Sequence, residues 1–141
     1  MRILCAVRGG PESKKTIEYA VSFAEKERAR LVFLYVVSLD LFASSSDIRA
    51  GTIAKELSRM GEFILLMAQA KAAAEGVAAD TFVRQGNIPE QILIACEEMS
   101  VETLILGRPE NGNGESFFDA KKQENFAKTL KEEAGIKVVL V

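Results

Sequence analysis

Leu31 to Val37 reads LVFLYVV, seven apolar positions with no polar break. A strand of that kind has no side left for water. It must be covered above and below, which points to a parallel sheet with helices on both faces. The rest of the chain supplies those layers. Arg2 to Val7 (RILCAV) is a short apolar strand closed by Gly9-Gly10. Behind it Ile17, Ala20, Val21 and Ala24 fall on one face of a helix, with Gly10 as its expected cap and Pro11 in its first position.

After Leu31–Val37 a polar loop runs from Ser38 to Gly51, and a long helix follows from about Thr52 to Glu75. The stripe of that helix, Ile53, Leu57, Met60, Ile64, Met67 and Lys71, stays apolar until its last turn. Val77 to Arg84 reads as a third strand ending at Gly86, and Pro89 starts a helix carrying Ile92, Leu93 and Cys96. Thr103 to Leu106 is a fourth strand. A helix of about Ala120 to Glu133, using Phe126, Leu130 and Ala134, precedes a last strand, Lys137 to Val141. Strands and helices alternate throughout, which requires right-handed crossovers and a parallel sheet. A single domain covering residues 1–141 is expected, with no linker or internal repeat.

Composition excludes several functions. Eighteen basic and twenty acidic residues are interspersed, so no electrostatic footprint for nucleic acid or an anionic membrane is present. No apolar run, Phe63 to Ala68 included, is long enough to span a bilayer, and the N-terminus is expected to carry no signal peptide. Cys5 and Cys96 lie alone in apolar segments and read as buried, reduced thiols of a cytoplasmic protein. Histidine is absent, which removes Ser-His-Asp and Cys-His catalysis and most zinc sites. A phospho-receiver would need acidic residues after strands one and three. Arg8-Gly9 and Arg84-Gln85 stand there instead.

Five segments in order resemble the universal stress protein family: VRGGPESKKTIEYA (Val7 to Ala20), LVFLYVV, GNIPEQIL (Gly86 to Leu93), ETLILG (Glu102 to Gly107) and the terminal IKVVLV. The resemblance implies an α/β fold like that of the adenine nucleotide alpha hydrolases, a five-stranded parallel sheet ordered 3-2-1-4-5. It also implies a stress-response or signalling module that dimerises through the last strand, Val138 to Val141. In that order the topology reverses between strands one and four, where ligands of open α/β sheets bind. ATP-binding members carry there a Gly-x-x-Gly loop that ends, nine residues later, in Gly-Ser or Gly-Thr.

This chain departs from that pattern. Gly107 fits the first glycine, and Glu110 falls on the second, where a carboxylate would repel phosphate. Counting from Gly112 puts the final pair at Lys122-Gln123, and counting from Gly114 puts it at Glu124-Asn125. The family's Asp after strand one is Arg8, with Glu110, Glu115 and Asp119 as its expected partners. A retained adenine-nucleotide site would use Val7, Val36 and Leu106 on the base side and Arg8, Gly107, Gly112 and Gly114 on the phosphate side. The expectation is a degenerate loop, no tight ATP or AMP binding, no enzymatic activity, and function through a homodimer and a protein partner. The alternative is an adenine-nucleotide binder that uses Arg8. The two loops, Ser38–Gly51 and Arg108–Asp119, are expected to be the mobile parts, with Phe117-Phe118 filling core ahead of the last helix.

Overall fold

The computed structural model of the chain describes residues 1–38, 49–108 and 119–141. Most of both expected loops lies outside the described residues, as do Gly112, Gly114 and the Phe117-Phe118 pair. The elements alternate as β1 (Arg2–Ala6), α1 (Glu12–Glu27), β2 (Arg30–Ser38), α2 (Arg49–Ala74), β3 (Ala79–Gly86), α3 (Ile88–Glu98), β4 (Thr103–Leu106), α4 (Ala120–Ala134) and β5 (Lys137–Leu140). All strand pairs are parallel, and the sheet order is β3-β2-β1-β4-β5, as the family resemblance implied.

Alternation along each strand divides the core into two layers. Ile3, Cys5, Leu31, Phe33 and Ile105 face α1 and α2, where Ile17, Ala20, Val21, Ala24, Leu65, Ala68 and Ala72 cover them. Leu4, Val32, Leu34, Leu104 and Leu106 face α3 and α4 and pack on Ile92, Ala95, Cys96 and Leu130. Leu4, Cys5, Phe33, Leu34, Leu104 and Ile105 are wholly buried, so the central strands are dry on both faces.

Several boundaries differ from the expectation, each for a local reason. The long helix starts at Arg49, so residues 49–51 belong to it and not to the loop. Pro11, not Gly10, is the residue that flanks α1, and the first helical residue is Glu12. Asn87 caps α3, its side chain accepting from the Glu90 N–H at 3.1 Å. β3 begins at Ala79 because Val77 is used to close α2: its N–H donates to the Ala72 carbonyl at 2.9 Å and its side chain is buried.

The largest correction concerns which side of α2 meets the sheet. The residues that pack are Ala54, Leu65, Ala68 and Ala72, together with Gly61, whose bare Cα lies against the Tyr35 ring. From the stripe read in the sequence, Ile53, Met60 and Met67 are exposed, and Leu57 and Ile64 are half-buried. Between Glu62 and Lys71 the helix carries no charge on any side, so apolar spacing alone could not choose the inward face. Small residues chose it, because they let the helix sit close to the strands.

This orientation predicts opposite responses on one helix. Leu65→Ala should cost about 2–5 kcal/mol of stability by leaving a cavity under α2. Met60→Ala, measured by urea unfolding in dilute solution, should stay within about 0.5 kcal/mol of the parent. Equal losses at the two positions would contradict the orientation.

Candidate functional site

The carboxyl ends of β1 and β4 lie side by side, with Ala6 paired to Leu106. Two residues beyond Ala6 comes Arg8, and one beyond Leu106 comes Gly107, so the parallel register brings the two together. Arg8 Nη2 donates to the Gly107 carbonyl oxygen at 3.0 Å. The same oxygen accepts a second bond from Gln123 Nε2, also at 3.0 Å.

Gln123 reaches that position from the first turn of α4. Asp119 starts the helix: its Oδ1 accepts from the Lys122 N–H at 2.9 Å, and its carbonyl accepts from the Gln123 N–H at 2.9 Å. Gln123 then shares the inward face of α4 with Phe126 and Leu130 and is 2% exposed. From the other side α1 closes in. A Cβ on residue 107 would stand 2.6 Å from Thr16 Oγ1, so only glycine lets β4 end this close to α1. The remaining void, lined by Ala6, Arg8, Glu12, Ser13, Thr16, Gly107 and Arg108, measures about 10 Å³. That is room for one water molecule.

The electrostatics do not suit an anion. Burial pulls the Arg8 guanidinium below its ordinary pKa, and the Glu12 carboxylate acts in the opposite sense. Two buried side-chain oxygens in this neighbourhood, Glu12 Oε2 and Gln123 Oε1, have no hydrogen-bond partner among the described residues. Both are acceptors. They would welcome a donor such as water and oppose a phosphate oxygen, which brings only further acceptors. Among the described residues, these two acceptors do not favour a phosphate oxygen at this point.

The sequence-derived site residues are only partly brought together. Arg8 and Gly107 meet, but Arg8 is turned to Gly107 and Glu12. Of its expected partners, Asp119 caps α4, while Glu110 and Glu115 lie outside the described residues. Val7, Val36 and Leu106 do not form one surface: Val7 packs in the layer under α1 and α2, whereas Val36 and Leu106 belong to the layer under α3 and α4. Gln123, Glu12 and Thr16 were missed. One signal was available, since Gln123 sits three residues before Phe126 and seven before Leu130, a polar residue on an apolar stripe. The larger space at this end of the molecule lies to one side of Gly107. It is an open groove of about 340 Å³ that starts at Arg8, Gly9 and Gly10 after β1 and runs between α1 and α2, with Lys14, Met67 and Lys71 also on its walls.

With the sheet order and this switch point described, the comparison with known proteins is direct. The model of the universal stress protein family matches residues 1–140. The chain belongs to the universal stress protein family. Among curated relatives, the sensor protein KdpD of Mycobacterium tuberculosis is 29% identical over 140 residues, 99% of this chain. The chain spans only 14% of the length of that relative. Universal stress protein YxiE of Bacillus subtilis is 29% identical over 114 residues, covering 75% of this chain and 77% of the relative. Solved structures share the fold: UspA from Lactobacillus plantarum superposes with a TM-score of 0.75 at 16% identity, covering 99% of this chain and 96% of its own. A universal stress protein in complex with cAMP gives a TM-score of 0.68 at 16% identity, covering 99% and 95%. One from Archaeoglobus fulgidus in complex with dAMP gives 0.60 at 13%, covering 99% and 96%.

The shared carbonyl makes a prediction about coupling. Arg8→Ala or Gln123→Ala alone should cost on the order of 1 kcal/mol, because each leaves the Gly107 oxygen one donor. The double variant should lose about 1 kcal/mol more than the two single losses together, because it leaves that buried oxygen with neither. A purely additive double-mutant cycle, measured by denaturant unfolding, would show that the two donors act separately.

Proposed function

We propose that this universal stress protein is a cytoplasmic, non-enzymatic module that works by self-association and by binding a protein partner, without holding ATP tightly. One observation carries the reading. At the switch point, where an open α/β sheet ordinarily takes its ligand, Arg8 and Gln123 both donate to the Gly107 carbonyl, and the void that the described residues enclose beside that oxygen is about 10 Å³. A nucleotide that drew on Arg8 would compete with a part-buried hydrogen bond already made to this carbonyl.

A homodimer through the last strand belongs to the same reading. Among the described residues β5 pairs only with β4 and lies at the edge of the sheet, so one row of its backbone groups has no strand partner there. Val138, Val139, Leu140 and Val141 are all half-buried apolar residues. An unprotected edge of this kind recruits another strand, and a twofold partner presenting the same strand antiparallel would satisfy both.

A second reading, adenine-nucleotide binding with Arg8 turned toward phosphate, is supported by the cAMP and dAMP complexes of the structural neighbours. Calorimetry with Mg-ATP separates the two. No saturable heat at micromolar nucleotide is expected, and a dissociation constant in the low micromolar range, lost on Arg8→Asp, would establish the second reading. For assembly, light scattering should give about twice the chain mass, and Val139→Lys should weaken the strand-mediated contact. A monomeric parent chain would remove the dimer from the proposal.

A further inference from the structure

The exposed side of α2 is the least expected surface of the molecule. Phe63 is 64% exposed, Met67 61%, Leu66 58% and Met60 57%, with Ile53 close by. Together these side chains show an apolar area on the order of 500 Å², the upper end of what a soluble monomer carries in one patch. Most of them lie along one stripe, which Glu56 interrupts between Ile53 and Met60. Ile53, Met60, Met67 and Ala74 recur every seven residues, with Phe63 and Ala70 set three after Met60 and Met67.

Two of the cations beside this stripe are paired within the chain. Arg59 pairs with Glu56 one turn away at 3.4 Å, and Lys71 is drawn to Glu18 of α1 at 2.8 Å. Nothing charged remains between Glu62 and Lys71, so the surface is neutral as well as apolar. A charged partner helix would find nothing to pair with. A surface identical to itself would.

We propose that α2 is a self-association surface, on which a second copy of this chain lays its own α2 antiparallel. The proposal concerns a different face from the β5 edge and goes beyond the reading given above. Steric matching sets the register. With the two helices crossing near Leu65, Met60 lies opposite the partner's Ala70, and Phe63 lies opposite the partner's Met67. Twofold symmetry repeats both contacts, which is what an isologous interface requires. The large residue meets the small one in the first layer, and sulfur meets the aromatic ring in the second. In this register Arg59 comes level with the partner's Lys71, but the two stand on opposite flanks of the stripe and each is paired within its own chain, to Glu56 and Glu18. The patch supplies the apolar centre of an interface whose standard size is about 800 Å² per partner, and flanking residues of α2 supply its rim.

Disulfide trapping tests both the pairing and its direction. Two full-length variants, Met60→Cys and Ala70→Cys, each carry Val139→Lys so that the strand edge cannot bring chains together. Within one helix positions 60 and 70 are about 15 Å apart, too far for an intrachain bridge. Mild oxidation of the mixed variants should give a disulfide-linked dimer, and neither variant alone should give more than a trace. Adding Phe63→Glu to both should reduce the yield at least tenfold, with unchanged circular dichroism showing that the fold is kept. No crosslink in the mixture would overturn the proposal. Crosslinking of Met60→Cys alone to the same extent, or a yield insensitive to Phe63→Glu, would overturn it as well. Because Val139→Lys is present throughout, failure here says nothing against the strand-mediated dimer.

Discussion

Everything in this molecule depends on keeping the central strands dry on both faces. β1, β2 and β4 bury apolar side chains alternately toward two helical layers, and a sheet of this kind cannot exist until both layers are in place. The requirement fixes the connections. Each strand must hand the chain to a helix that crosses back over one face, and the face changes where the strand order reverses beside β1. The switch point is thus a by-product of covering the core, and it exists whether or not a ligand occupies it.

In this chain the switch point is occupied from within. The Gly107 carbonyl, left at the end of β4 with no further strand to bond, gathers donors from the segment after β1 and from the start of α4. A backbone acceptor buried at such a place must be paired. Here two side chains satisfy a demand that the fold itself creates, and Gly107 ties three elements together at one atom. That shared acceptor ties the described part of the apex together.

Much of the fold was legible because its signals are local and redundant. The unbroken apolar runs give the strands, and the Ile17–Ala24 stripe gives the buried face of α1 correctly. The strand order came from resemblance, since periodicity alone does not order a parallel sheet. The face of α2 was misread for a physical reason: a helix apolar on several sides has several candidate stripes, and close packing favoured the small residues of one over the large residues of another. The site was half legible. Arg8 and Gly107 stood out by comparison with a motif, whereas Gln123 is a polar residue on an apolar stripe whose importance depends on what lies opposite it. Asp119 was expected as a partner of Arg8 and is a helix cap, a role that shows only when the start of α4 is located.

The two cysteines gain a use from the layered core. Both are free and buried, and burial holds each thiol neutral, with Cys96 pushed up to about 12 and Cys5 higher still. They belong to different layers, Cys5 in the one under α1 and α2 and Cys96 in the one under α3 and α4. A thiol reagent can reach neither until its own layer opens. The chain thus carries one silent reporter on each side of the sheet, and the order in which the two become labelled records which half of the protein loosens first.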